Sequence, residues 1–232
     1  MAKDVIIALD FPNKEEVFTF LEDFEPPVFV KVGMDLFYRD GMDMVHALKE
    51  KGYQVFLDLK LHDIPNTVAS AMKNLCQCEP DMVDVHIAGG GEMIGRVRKV
   101  LDEMEQPPIL LGITILTSTS EEEVHEELRI DPALSLEDTV LSYVALGEKS
   151  GLTGIVCSPL EVPKVKERHP NLITVTPGIR PGKVEGDDQE RVVTPKKARE
   201  LGSDYIVVGR PITKAENPKE AYEKIKREFL EG

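Results

Sequence analysis

Eight short apolar runs, rich in β-branched residues and spread along the whole chain, constrain the fold more than any other feature. They lie at Val5–Leu9, Val28–Val32, Val55–Leu59, Met82–Ile87, Ile109–Ile115, Gly154–Cys157, Leu172–Val175 and Tyr205–Val208. Each reads as a strand of a parallel sheet covered on both faces. Between them lie segments of mixed charge and helical spacing. Several open on a residue that can cap a helix: Asn13, Ser120, Ser135, Thr194 ahead of Pro195, and Asn217 ahead of Pro218. Eight strand-then-helix units in 232 residues predict an α/β fold, a (β/α)8 TIM barrel formed as a single domain over 1–232. An open doubly wound sheet is the competing architecture. No Gly-x-Gly-x-x-Gly follows the first strand, which weakens a dinucleotide-binding version of it.

At 41% hydrophobic residues the chain supplies one sizeable core and not two. Asp and Glu number 42 against 28 Lys and Arg, a net charge of -14 that disfavours nucleic acid and anionic membrane as partners. An anionic substrate then needs a locally cationic pocket. No apolar run approaches bilayer-spanning length and the N-terminus lacks a signal-peptide layout, so the expected location is cytoplasmic. Cys76, Cys78 and Cys157 show neither Cys-x-x-Cys nor zinc-site spacing, and are expected to be reduced thiols that pack.

Charged residues inside such strands are informative, because these strands should otherwise be apolar on both faces. Asp10 ends the first strand and Lys31 lies within the second. In the third, Phe56-Leu57-Asp58-Leu59-Lys60-Leu61-His62-Asp63-Ile64-Pro65-Asn66-Thr67, alternation puts Asp58 and Lys60 on one face and Leu57, Leu59 and Leu61 on the other. An anion and a cation would then be fixed about 6 to 7 Å apart along one strand. They would be ordinary on a solvated edge, but Lys31 and Asp10 repeat the pattern. Burying several ionised groups costs several kcal/mol each unless they pair. Lys31, Asp58, Lys60 and Asp63 can form a network that keeps a lysine protonated for use as an acid. His86 shares a strand face with Asp84, and His62 neighbours the Asp58/Lys60 pair. Both histidines read as structural in preference to metal ligands.

The loops after the strands carry a second signal. Thr117 and Ser118 follow the fifth strand. Thr176-Pro177-Gly178-Ile179-Arg180 follows the seventh, and Val208-Gly209-Arg210-Pro211 the eighth. Loops at those last two positions are where such barrels commonly hold a phosphate, with glycine admitting close backbone approach and arginine a bidentate clamp. The polar segment 180–191, containing Gly182, Gly186 and Gln189, reads as a mobile lid over that ligand.

With these motifs together, the chain resembles the orotidine 5'-phosphate decarboxylase family of the bacterial type. The resemblance runs from Val5-Ile6-Ile7-Ala8-Leu9-Asp10 to Val208-Gly209-Arg210-Pro211. Its most specific parts are Asp58-Leu59-Lys60-Leu61-His62-Asp63-Ile64-Pro65-Asn66-Thr67 and Val175-Thr176-Pro177-Gly178-Ile179-Arg180. It implies a homodimer that converts orotidine 5'-monophosphate to uridine 5'-monophosphate and carbon dioxide, the last step of UMP biosynthesis, with no cofactor and no metal. Carried over by motif, Lys60 is the proton donor, Lys31 and Asp58 stand beside it, and Asp63 reaches into the partner's site. Asp10 and Lys31 bind the ribose, Thr67 belongs to the neighbouring subunit's contribution, and Thr117 or Ser118 meets the pyrimidine. Arg180, Gln189, Gly209 and Arg210 hold the phosphate.

The nearest rival keeps the barrel but performs metal-dependent chemistry on a sugar phosphate, as the related hexulose- and keto-gulonate-phosphate enzymes do. There a second-strand carboxylate serves magnesium, and the cation Lys31 at that place would repel it. A non-catalytic nucleotide-binding barrel is the rival of a different class. It would gain nothing from the network of Lys31, Asp58, Lys60 and Asp63.

Overall fold

Alternation along a parallel strand sends every second side chain toward the barrel axis and the others toward the surrounding helices. The structure, a computed structural model describing residues 3–182 and 192–231, follows that rule around a closed barrel in which the strands pair in chain order and β1 closes on β8. The strands are β1 (Asp4–Ala8), β2 (Phe29–Gly33), β3 (Gln54–Leu61), β4 (Met82–His86), β5 (Ile109–Ile113), β6 (Gly154–Val156), β7 (Ile173–Thr176) and β8 (Tyr205–Val208). Among the described residues the helices are α1 (Lys14–Leu21), α2 (Met34–Glu50), α3 (Pro65–Leu75), α4 (Gly90–Asp102), α5 (Glu121–Glu126), α6 (Leu136–Lys149), α7 (Val162–Arg168), α8 (Pro195–Leu201), α9 (Arg210–Thr213) and α10 (Pro218–Leu230). All eight expected strands are present, with ends displaced by a residue or two. None of the helices is long and apolar enough to cross a membrane, among the described residues.

Each of the five expected caps forms. Asn13, Ser135, Thr194 and Asn217 accept from the amides of Glu16, Asp138, Lys197 and Glu220. Ser120 and Glu123 make a reciprocal capping box. Helices α2, α3, α4, α7 and α9 begin without a side-chain cap, so their starts carried no such signal in the sequence.

Two apolar layers result. The larger lies between barrel and helices and includes Ile7, Val30, Leu57, Val83 and Val85. The smaller fills the barrel itself with Ile6, Ala8, Phe29, Phe56, Met82, Leu111, Ile173, Val175 and Val207. Two residues further along the same inward faces the chemistry changes: Phe29 is followed by Lys31, Phe56 by Asp58, Met82 by Asp84 and Ala8 by Asp10. The barrel is therefore an apolar plug whose upper layer is charged. All three cysteines are free thiols, and burial pushes those of Cys76 and Cys78 up to about 11, as expected of packing residues.

The opposite end of the barrel is held by lysine–aspartate pins. Asp81, just before β4, accepts from Lys49 Nζ at 2.6 Å and from the β3 amide of Val55 at 2.7 Å. Asp204, just before β8, accepts from Lys166 Nζ at 2.5 Å and from the β7 amide of Thr174 at 2.8 Å. Each pin joins a helix to two neighbouring strands. Of the expected lid, residues 180–182 are described, and Gln189 lies outside the described residues. The Arg180 amide donates to the Val193 carbonyl at 2.9 Å and the Val193 amide to that of Gly178 at 3.1 Å, which brings the flanks of the segment together.

Asp204→Ala removes a charged acceptor from a lysine, a hydroxyl and a backbone amide. The expected loss is about 2 kcal/mol, or roughly 4–8 °C in Tm for a chain of this size. Calorimetry should show that fall while kcat is unchanged. An unchanged Tm would remove the pins from the account of stability.

Candidate active site

The site is built on β3, at the point where that strand departs from regular pairing. Leu57 pairs with Val83 and the next registered pair is Leu61 with Val85, so β3 takes four steps where β4 takes two. The surplus bends the strand, and Lys60 adopts a φ of 51°, in the left-handed region that a lysine rarely occupies. The sequence predicts a regular strand here, and nothing in a lysine signals a bulge. Asp84 of β4 takes up the two displaced amides. Its Oδ1 accepts from Leu59 N at 3.0 Å and from Lys60 N at 2.8 Å. Held this way, Lys60 still points with Asp58 to the barrel axis, as alternation requires.

Asp58 is the centre of the charge cluster. Its Oδ1 accepts from Lys60 Nζ at 2.5 Å, and its Oδ2 lies 3.2 Å from Lys31 Nζ. Lys31 is also 3.8 Å from Asp10 at the exposed rim. Gly33 leaves room for it, since a Cβ there would sit 3.2 Å from Lys31 Nζ. Burial opposes the charge on Lys31, but the carboxylates of Asp58 and Asp10 outweigh it and raise its pKa. Burial likewise opposes ionisation of Asp58, and the charge of Lys31, a hydrogen bond with Asp84 and the charge of Lys60 together hold it well below the usual carboxylate range. Asp84 has gone the other way: burial, then the neighbouring charge of Asp58, raise its pKa well above normal.

Above this cluster opens a cavity of about 570 Å³, the size of a small-molecule site. Its lining includes Asp10, Lys31, Asp58, Lys60, Thr117, Ser118, Arg180, Gly209 and Arg210, so most of the expected site residues converge on one space. Phe56, Ile113 and Val207 form apolar surface between them. Arg180 is buried and donates to the Ile179 carbonyl at 3.0 Å, while Arg210 stands exposed at the mouth. Gly178, at φ 75°, turns the chain between β7 and Arg180.

Two expected residues are elsewhere. Asp63 and Thr67 are exposed and outside the cavity lining, Asp63 on the turn after β3, where its Oδ1 accepts from Ile64 N at 2.6 Å, and Thr67 in the first turn of α3. The side chain of Ile64 between them is also exposed. The rings of His62 and His86 are tilted, 5.6 Å apart between centroids, and burial, then the neighbouring His62 and Lys60, lower the pKa of His86. Among the described residues no three His, Cys, Asp or Glu side chains are grouped to hold a metal ion. Sequence reasoning named Asp84 only as a neighbour of His86 and passed over Thr213 and Lys214. A mid-strand carboxylate between Val83 and Val85 was the available signal for Asp84, by the reasoning that singled out Asp58. Lys214 sits past the expected phosphate loop and carried no signal.

Comparison with known proteins matches residues 3–225 to the family model for orotidine 5'-phosphate decarboxylase / HUMPS. Proteins of Bacillus cytotoxicus and Bacillus mycoides named orotidine 5'-phosphate decarboxylase are each 53% identical over 235 residues, covering 99% of this chain and 98% of theirs. The solved orotidine 5'-phosphate decarboxylase of Lactobacillus acidophilus superposes with a TM-score of 0.87 at 43% identity, covering 98% of this chain and 99% of that one. An uncharacterized conserved protein from Geobacillus kaustophilus gives 0.86 at 46% identity, covering 97% and 99%. The cavity, its charged floor and these matches over nearly the whole length agree, and the chain belongs to the orotidine 5'-phosphate decarboxylase / HUMPS family.

Proposed function

We propose that this chain decarboxylates orotidine 5'-monophosphate to uridine 5'-monophosphate and carbon dioxide in pyrimidine biosynthesis, with Lys60 as the proton donor. The observation that carries this reading is Asp58 held between Lys31 and Lys60 on the floor of a cavity whose lining includes Arg180 and Arg210. Departure of carbon dioxide breaks a carbon–carbon bond and leaves its electron pair on a ring carbon. Lys60 Nζ supplies a proton to that carbon and regains one from solvent. Before transfer, its ammonium attracts the localised charge of the forming carbanion more strongly than the delocalised carboxylate, which lowers the barrier. Asp58 fixes the lysine and faces the substrate carboxylate, so the ground state is opposed more than the transition state.

The rest of the ligand follows the lining. Asp10 and Lys31 take the ribose, Thr117 or Ser118 the pyrimidine, and Arg180, Gly209 and Arg210 the phosphate, with Gln189 added by resemblance. Phosphate contacts distant from the reacting carbon offset the cost of placing a carboxylate near Asp58. The family also includes sugar-phosphate enzymes, which the resemblance gives a metal-binding carboxylate on the second strand. Lys31 at that place, 3.2 Å from Asp58, favours the metal-free reaction. Asp63 and Thr67 are assigned to the second subunit's site in a homodimer, which their exposure beside Ile64 supports. The free thiols and the nature of the substrate favour a cytoplasmic location.

Two tests follow from this reading. In a spectrophotometric assay the protein should decarboxylate orotidine monophosphate at a rate unaffected by chelation. Lys60→Ala should lower kcat by at least roughly 10²- to 10⁴-fold and still bind uridine monophosphate. Near-native turnover by that variant would remove Lys60 from the chemical step.

The shared site is tested by refolding equal amounts of Lys60→Ala and Asp63→Ala chains together. Random pairing makes about half the dimers mixed, and one site in each mixed dimer pairs intact Lys60 with intact Asp63 of the other chain. About a quarter of all sites should then be native. Activity equal to the mean of the two separate variants, with chain exchange verified, would assign Asp63 to its own subunit.

A further inference from the structure

Asp84 is the one charged-type residue of the barrel's upper layer given no part in the reaction so far. It lies on β4, 1% exposed, facing Asp58 and Lys60 of β3. Lys31 of β2 lies beyond them, and His86 follows on its own strand. On the other flank its registered partner in β5 is Leu111, which does not titrate. Oδ1 is occupied by the amides of Leu59 and Lys60 at 3.0 and 2.8 Å. Oδ2 is buried, and no donor reaches it among the described residues. The neighbouring carboxyl within hydrogen-bond reach is that of Asp58, already the acceptor for two lysines. Two ionised carboxylates in contact, one of them with an oxygen no donor reaches, would be strongly unfavourable. A proton on Oδ2 removes the conflict, because it turns the orphaned acceptor into a donor.

We propose that Asp84 is a positioning residue for the Asp58–Lys60 pair, held as a neutral acid whose one oxygen accepts the amides of Leu59 and Lys60 and whose hydroxyl donates to Asp58. The geometry explains why this place needs a two-sided side chain. Where β3 bulges, the Leu59 and Lys60 amides lose their ladder acceptor, and the same residue that replaces it can steady the acceptor on which Lys60 rests. The inference rests on the reading of Asp58 and Lys60 as the reacting pair, but its test has an arm that needs no turnover.

The protonation arm compares unfolding of the native protein and of Asp84→Asn across pH. A neutral Asp84 keeps its proton when folded and loses it on unfolding above the ordinary value of 3.8. Its contribution to stability therefore falls as pH rises through that value toward the raised folded pKa, and asparagine escapes that fall. From about pH 5 upward, until the raised folded pKa is reached, the folding constant of Asp84→Asn relative to native should rise with pH, by up to about tenfold per unit. A ratio that is flat or falls would mean that Asp84 is ionised in the fold, and would overturn the proposal.

The positioning arm compares Asp84→Leu, which keeps the size and removes both hydrogen-bonding functions, with Asp84→Asn, which keeps an acceptor and a donor. The leucine variant should lose about 10²-fold in kcat, the scale of a 1 Å misplacement, with a much smaller change in KM. The asparagine variant should recover most of that loss. If leucine prevents folding, Asp84→Ala takes its place. Equal losses for the asparagine and apolar variants would contradict a positioning role. If the chain does not act on orotidine monophosphate at all, every variant is silent in this arm while the pH dependence of unfolding still reports the proton.

Discussion

One carboxylate between two ammonium groups organises this molecule's upper face. Asp58, with Lys60 on one oxygen and Lys31 on the other, is buried where an isolated charge would cost several kcal/mol. The two lysines make that charge tolerable, and it in turn keeps both lysines in fixed positions above an apolar plug. Asp10 extends the alternation to the rim, and Asp84 lies buried beneath it, accepting the Lys60 amide. The order of charges across the site, cation, anion, cation, is set by which inward-facing strand position each residue occupies. No loop has to close to assemble it.

The barrel supplies the two things such a cluster needs. Its inner layer of Phe29, Phe56, Met82 and Leu111 is apolar and buried, so the dielectric beneath the charges is low and their interactions are strong. The segments that follow β5, β7 and β8 place hydroxyls and arginines around the opposite side of the cavity, where a phosphate can be held away from the reacting carbon. A chain of net charge -14 thereby presents an anionic nucleotide with a locally cationic pocket. The far end of the barrel, pinned by Lys49–Asp81 and Lys166–Asp204, carries stability and leaves the upper face to chemistry.

Much of this was legible in the chain itself. Parallel strands are apolar on both faces, so Lys31, Asp58 and Lys60 stood out against their neighbours, and the five capping residues marked helix starts by a local mechanism that tertiary context did not override. What was not legible depends on partners distant in sequence. The bulge at Lys60 exists because β3 and β4 pair out of step, and the part Asp84 plays appears only when Leu59 and Lys60 turn their amides toward it. Helices such as α2 and α4, which begin with neither a side-chain cap nor a proline, gave no local mark of where they start.

If Asp58 and Lys60 act as one unit, neither can do its work alone, and that coupling is open to direct measurement. Kinetics of Asp58→Asn, Lys60→Ala and the double variant, compared as kcat/KM, give the interaction between them. The combined loss should be close to that of the more damaging single change, far short of the product of the two. Losses that multiply would show that the carboxylate and the lysine contribute independently, and would contradict a site built on their pairing.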